Sequence, residues 1–368
     1  MNKKIQKSIS VFVLSLSLGA RSEAPAVPGE YLVKLRSKSQ PSLQAASAGL
    51  SGAGFEVVEQ LSKRQGLFRV KAKSGMMRTA STKQSLGILA AAGVIPQDAI
   101  DARAFIGELS LNGDLRAVNG ILPCTLGLKK HRFASVFVPF KNGNEASLVD
   151  GISVFAMPTL LSTVAFLNGQ ENASPVVINR DEIFLRARSH TVDFSEVKGQ
   201  AFAKRALEIA AAGGHNVLMI GPPGSGKTLL ARRLPTILPD LTFEEALETT
   251  KIHSVAGYIR DGGAMVATRP FRSPHSQISD VALIGGGANP RPGEVSLAHR
   301  GVLFLDELPE FARSVIEALR QPLEDRHVTI ARVASSVKYP SDFLLVAAAN
   351  PCPCGYHGSS ARACVCPP

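Results

Sequence analysis

The octapeptide Gly221-Pro222-Pro223-Gly224-Ser225-Gly226-Lys227-Thr228 fits the pattern G-x-x-x-x-G-K-[ST] at every fixed position, and it restricts the fold more than any other feature of the chain. The pattern needs a buried strand before it and a helix after it. Val217-Leu218-Met219-Ile220 is a short apolar run suited to the strand, and Leu229 to Leu234 suits the helix. The glycines let backbone N–H groups close around phosphate oxygens, and the helix N-terminus adds partial positive charge. Gly221, Pro222, Pro223, Gly224, Ser225 and Gly226 are therefore the expected phosphate cradle. Lys227 would reach the β- and γ-phosphates, and Thr228 would ligate Mg²⁺. A glycine-rich turn without a ligand is the competing interpretation, and the flanking strand and helix speak against it.

A triphosphate site also needs an acid at the end of a second buried strand. Gly301-Val302-Leu303-Phe304-Leu305-Asp306-Glu307 supplies an apolar run, too short for a membrane span, that ends in two carboxylates. Asp306 is expected to hold hydrated Mg²⁺ and Glu307 to polarise the attacking water, so that metal binding and base work fall to adjacent side chains. A third apolar run, Phe343 to Ala349, ends in Asn350, whose amide could hold that water. Alone, an Asn after an apolar run is as readily a cap or turn residue.

Further runs carry a resemblance. Phe271-Arg272-Ser273-Pro274-His275, Ile284-Gly285-Gly286-Gly287, Pro290-Arg291-Pro292-Gly293-Glu294 and Leu305-Asp306-Glu307-Leu308-Pro309-Glu310-Phe311 occur in the order seen in magnesium-chelatase-type AAA+ ATPases, and most resemble the ComM (YifB) branch. The resemblance runs from about residue 84 to the C-terminus. It implies an α/β P-loop AAA+ module over 193–368, with Walker A at Gly221–Thr228, Walker B at Asp306 and Glu307, sensor 1 at Asn350 and the nucleotide base near Val197-Lys198-Gly199. It also implies a pre-sensor hairpin over 328–339, an insertion over 285–294, and a partial chelatase-subunit domain of ribosomal-S5/Lon type over 84–169, joined by a linker over 170–192. Members of the branch use ATP and Mg²⁺ and act as hexameric rings on branched DNA during natural transformation. Where relatives show a second His after Pro274-His275, this chain has Ser276.

Charge adds little to the case for DNA. The net charge is +11, but residues 1–75 hold twelve Lys and Arg against four Glu, +8 in all, which leaves +3 for the rest. Arg332 and Lys338 on the expected hairpin are better candidates, since a ring gathers a few cations from each subunit around its pore. A solvated charged hairpin explains them equally well.

The N-terminus reads differently from the motor. A cationic start over 1–7, a mostly apolar stretch over 8–20 and small residues through Ala24 read as a secretory signal peptide. Residues 25–76 follow as a small α+β segment, with strands expected at 30–35, 54–61 and 66–72 and a helix at 42–50. Their order resembles the inhibitor I9-like propeptide of subtilisin-type proteases. No nucleophile with a paired base accompanies it. A secreted propeptide-like binding module with a passenger ATPase segment is thus the rival to a cytoplasmic ATP-dependent motor. In the chelatase-like segment, 105–111 and 114–118 are expected to pair across Asn112-Gly113, with strands at 135–139 and 153–156 and a helix at 160–167.

Near the C-terminus, Cys352-Pro353-Cys354 and Cys364-Val365-Cys366 hold four of the five cysteines, and Cys124 stands alone. Two Cys-x-Cys knuckles suit a structural Zn²⁺ site, although Cys-x-x-Cys is the usual spacing. Free thiols and, in an exported chain, disulfides are the alternatives. The resemblance further implies an arginine finger and a helical lid beyond Pro368, so the chain as given is expected to bind ATP better than it turns it over.

Overall fold

A computed structural model describes residues 10–14, 30–36, 55–62, 67–72, 80–101, 103–259, 263–287, 290–331, 336–358 and 362–366. The chain forms two compact units, Met1–Val118 with Thr125–Val177, and Asn119–Cys124 with Ile178–Pro368. No helix among the described residues is long and apolar enough to cross a membrane.

The first unit opens with an antiparallel sheet in the order Ser10–Leu14, Glu30–Arg36, Leu67–Ala72, Phe55–Ser62. The expected strands of the small segment are present, and the apolar leader stretch adds a fourth. The helix expected at 42–50 lies outside the described residues. Further on, Arg103–Phe105, Ser135–Pro139 and Ser153–Met157 form a parallel sheet with Ser135–Pro139 at its centre. Phe137 stacks between Phe105 and Phe155 at centroid distances of 4.9 Å each, which puts the aromatic mass of three strands into one core. Helix Leu160–Leu167 starts at a capping box in which Thr159 Oγ1 accepts from the Ser162 N–H at 3.0 Å.

The hairpin read across Asn112-Gly113 is shorter than expected. Phe105 belongs to the parallel sheet, and only Glu108–Leu109 and Leu115–Arg116 pair across the turn. The chain changes sheets at Gly107. A Cβ there would lie 2.8 Å from Thr82 Oγ1 and 3.1 Å from Pro139 Cγ, so the crossing is too close for a side chain.

The second unit is built on a four-stranded parallel sheet in the order Val217–Ile220, Leu344–Ala349, Val302–Leu305, Phe271–Arg272. Alternation sorts its residues to two faces. Val302, Phe304, Leu344, Val346 and Ala348 pack with Leu207, Leu230 and Leu234 on one side, while Leu303 and Leu305 pack with Leu283, Val295, Phe311 and Val315 on the other. Helices on both faces explain why the central strand is apolar throughout. Phe304 is fully buried, a contribution of about 1.5–3 kcal/mol by area.

The linker expected over 170–192 is a correction. It contains helix Arg180–Ala187, capped by Asn179, whose Oδ1 accepts from the Glu182 N–H at 3.2 Å. Phe184 and Ala187 pack against Leu241, Ala246 and Ala267, so this helix belongs to the second unit, while residues up to Val177 stay with the first. Its charged composition concealed a one-sided apolar stripe. The hairpin expected over 328–339 is formed by His327–Ala331 and Ser336–Pro340, with Val328 opposite Tyr339. Lys338 is exposed on it, and Arg332 lies outside the described residues.

Candidate nucleotide-binding site

The cradle sits where strand Val217–Ile220 passes into helix Lys227–Arg233. Gly224 and Gly226 take φ of +77° and +87°, a region that side-chain-bearing residues rarely enter, and this turns successive backbone N–H groups inward. Gly221 N–H donates to Ala349 O at 3.3 Å, anchoring the loop to the adjoining strand. Lys227 Nζ donates to Gly221 O at 2.7 Å and to Pro222 O at 3.0 Å, so its ammonium is folded over the cradle. Ser225 Oγ is buried with no hydrogen-bond partner among the described residues, an orphaned group that a phosphate oxygen would satisfy.

The carboxylates and the amide arrive on the neighbouring strands. Parallel pairing sets the ends of Val302–Leu305 and Leu344–Ala349 beside the end of Val217–Ile220, where an open α/β sheet places its ligands. Thr228 Oγ1 donates to Asp306 Oδ2 at 2.7 Å, so the two expected Mg²⁺ ligands touch. Their donor set, one hydroxyl and one carboxylate, suits Mg²⁺, which usually keeps several of its waters. Lys227 Nζ also donates to Asn350 Oδ1 at 3.3 Å, which joins the amide to the same site. Glu307 is exposed and left-handed, with φ +53° and ψ 49°, and its N–H donates to Asp306 Oδ1 at 3.1 Å. A non-glycine residue in that conformation is strained.

Val197 is buried and Gly199 takes φ +64°. A residue that motif reading passed over connects the next position to the cradle. Gln200, itself left-handed at φ +53°, donates from Nε2 to Ser225 O at 2.9 Å. Only a long-range contact marks it, and no local pattern does. Arg272 grips Glu294 in a two-pronged ion pair at 2.6 and 2.7 Å, which ties the strand beside Val302–Leu305 to the start of helix Glu294–Leu297.

The four clustered cysteines also come together. Their Sγ atoms all lie within 4.8 Å of one another, with Cys352 to Cys354 at 3.3 Å, Cys354 to Cys364 at 3.6 Å and Cys352 to Cys364 at 3.7 Å. A tetrahedral Zn²⁺ with Zn–S bonds of about 2.3 Å separates its sulfurs by about 3.8 Å, so this donor set fits. The N–H groups of His357 and Cys354 point to Cys352 Sγ and Cys366 Sγ at 3.3 Å each. Hydrogen bonds from the Tyr356 and Val365 backbones hold the Cys354 thiol down to about 6. Cys124 stands apart from this cluster.

Comparison with known proteins bears on the whole site. The family "Magnesium chelatase, subunit ChlI" matches residues 193–368, and "Subunit ChlI of Mg-chelatase" matches residues 83–142. The chain is 45% identical over 276 residues to competence protein ComM of Haemophilus influenzae, covering 74% of this chain and 53% of that protein. It is 43% identical over 284 residues to the uncharacterized protein YifB of Escherichia coli, covering 76% and 54%. The magnesium-chelatase 38 kDa subunit of Rhodobacter capsulatus is 27% identical over 177 residues, 43% of this chain and 50% of that one. The chain thus spans about half the length of the curated relatives it matches. A structure of the complex between magnesium chelatase subunits BchI and BchD aligns at TM-score 0.36 and 22% identity, over 44% of this chain and 56% of that one. With the cradle motif, the acidic strand end and these sequence matches, the chain belongs to the magnesium-chelatase-type AAA+ ATPases of the ComM/YifB kind.

Proposed function

We propose that this chain is the nucleotide-binding part of a ring-forming motor that couples ATP hydrolysis to movement of branched DNA. The observation that carries the ATPase chemistry is the 2.7 Å contact of Thr228 Oγ1 with Asp306 Oδ2, beside a lysine already folded over the cradle. Cradle N–H groups and Lys227 bind and orient the β- and γ-phosphates, and Thr228 and Asp306 hold Mg²⁺. When bound, Mg²⁺ neutralises charge on the phosphate oxygens. Asn350 positions the attacking water, and Glu307 takes its proton. Val197 and Gly199 seat the base. Lys338, exposed on the 327–340 hairpin, is the DNA-facing cation. Cys352, Cys354, Cys364 and Cys366 hold one structural Zn²⁺. The need for ATP supports a cytoplasmic site of action, and a homo-oligomeric ring, a hexamer as the resemblance implies, supplies the charge that speeds turnover.

The test is ATP·Mg²⁺ binding by calorimetry and steady-state phosphate release, each with and without branched DNA, on the chain extended by a relative's C-terminal segment. Binding with stimulated release supports the motor. Binding without stimulation leaves an ATPase and removes the DNA role, and no binding overturns the nucleotide site. Elemental analysis of protein purified without chelator should give about one zinc per chain.

A further inference from the structure

We propose that the four-thiolate site is a brace on the phosphate loop, so that metal occupancy sets the affinity for nucleotide; this rests on the ATP and Zn²⁺ assignments above. Two connections join the cluster to the cradle. One is covalent: only Pro351 separates Asn350, whose Oδ1 accepts from Lys227 Nζ at 3.3 Å, from the first thiol at Cys352. The other is packing. The turn that carries Cys352 and Cys354 is closed by the Gly355 N–H donating to Cys352 O at 2.9 Å, and it brings Gly355 against Pro223 in the middle of the cradle. A Cβ on Gly355 would lie 2.6 Å from Pro223 Cδ, 2.8 Å from Cγ and 4.0 Å from Asn350 Cγ. Gly355 also takes φ +81°, so glycine is required there twice over.

The brace needs a crosslink to be stiff. The described residues of 351–366 contain no helix or strand, only turns and bends. A segment of that kind is ordered largely by the metal that its ligands share, as in small zinc modules whose binding energy is their folding energy. A thiophilic divalent cation such as Zn²⁺ would fix the turn, press Gly355 on Pro223 and hold Asn350 beside Lys227. Without it, the loop would have to be ordered by the nucleotide at the moment of binding, which lowers affinity. Linkage makes the effect reciprocal: ATP must tighten metal binding by the factor by which metal tightens ATP. Couplings of this kind run from about 5- to 150-fold.

The experiment uses the full chain in two arms. Affinity for a fluorescent ATP analogue with Mg²⁺ is measured on zinc-loaded, stripped and reloaded protein, and the equilibrium transfer of zinc to a chromogenic chelator is measured with and without saturating ATP·Mg²⁺. Expected are a loss of affinity of about tenfold on stripping, recovery on reloading, and a rise in zinc affinity by the same factor with ATP. Gly355→Ala keeps all four thiols, so it should keep its zinc and still bind the analogue more weakly. Equal affinity in loaded and stripped protein, or zinc transfer indifferent to ATP, overturns the brace alone. A chain that holds no zinc overturns the metal assignment with it, and zinc-loaded protein that does not bind the analogue overturns the nucleotide assignment. Should stripping unfold the protein, the zinc-transfer arm on loaded wild type still decides.

Discussion

In the proposed function, Lys227 and Glu307 divide the residue-level chemistry between binding and turnover. Lys227 makes three hydrogen bonds around the cradle, to Gly221 O, Pro222 O and Asn350 Oδ1, and its charge is free to transfer to phosphate oxygens when they arrive. A charge-assisted hydrogen bond is worth about 1.5–3 kcal/mol, so Lys227→Ala should weaken ATP binding by about ten- to a hundredfold in calorimetry. Wild-type affinity in that variant would remove the lysine from the site. Glu307 is exposed and has no phosphate to hold, so Glu307→Gln should keep ATP affinity while phosphate release falls by about 10² to 10⁴. An unchanged rate would hand the base role to another group. Most of this was legible in the motif, because spacing within a loop is a local property. Gln200 was not, since its bond to Ser225 O spans 25 residues.

At the scale of elements, the strands beside the cradle were legible from short apolar runs bounded by polar residues, and the parallel pairing then follows from helices on both faces. Helix Phe243–Ala256 shows how local chemistry sets a boundary. Thr242 Oγ1 accepts from the Glu245 N–H at 3.2 Å, while Glu245 Oε2 accepts from the Thr242 N–H at 3.1 Å. Gly257, at φ +80°, ends the helix. Thr242→Ala should cost about 1 kcal/mol, seen as a fall in melting temperature of about 2–4 °C. The elements that were misjudged share one cause. Helix Arg180–Ala187 sits in a charged stretch whose only apolar signal is its inner stripe, and the 105–118 hairpin divides at Gly107, where a close approach to Thr82 and Pro139 redirects the chain. Neither cue exists until another element is in place.

Over the whole molecule, the second unit hides two imidazoles in its polar interior. His253 accompanies Arg272 and Glu294, and its Nε2 lies 3.1 Å from Leu297 O; His299 lies among Glu248, Arg300 and Asp342, with Nε2 3.0 Å from Glu248. Burial holds both below their ordinary value of 6.5. The unfolded chain therefore binds protons below pH 6.5 that the folded chain refuses, so stability is complete above that pH and falls as pH drops through it. Each group contributes a slope of up to about 1.4 kcal/mol per pH unit. Urea midpoints should fall as pH drops from about 7.5 to about 5.5, and a flat profile would show that the two imidazoles titrate alike in both states. By itself the sequence determined the cradle, the strand ends that serve it, the glycine turns and the family, because each is written in residue type at short spacing. Tertiary structure alone decided that Thr228 meets Asp306, that Asn350 reaches Lys227, that four thiols converge and that their turn lies on Pro223. These contacts join residues brought together by strand order, and strand order is settled by the packing of both sheet faces at once.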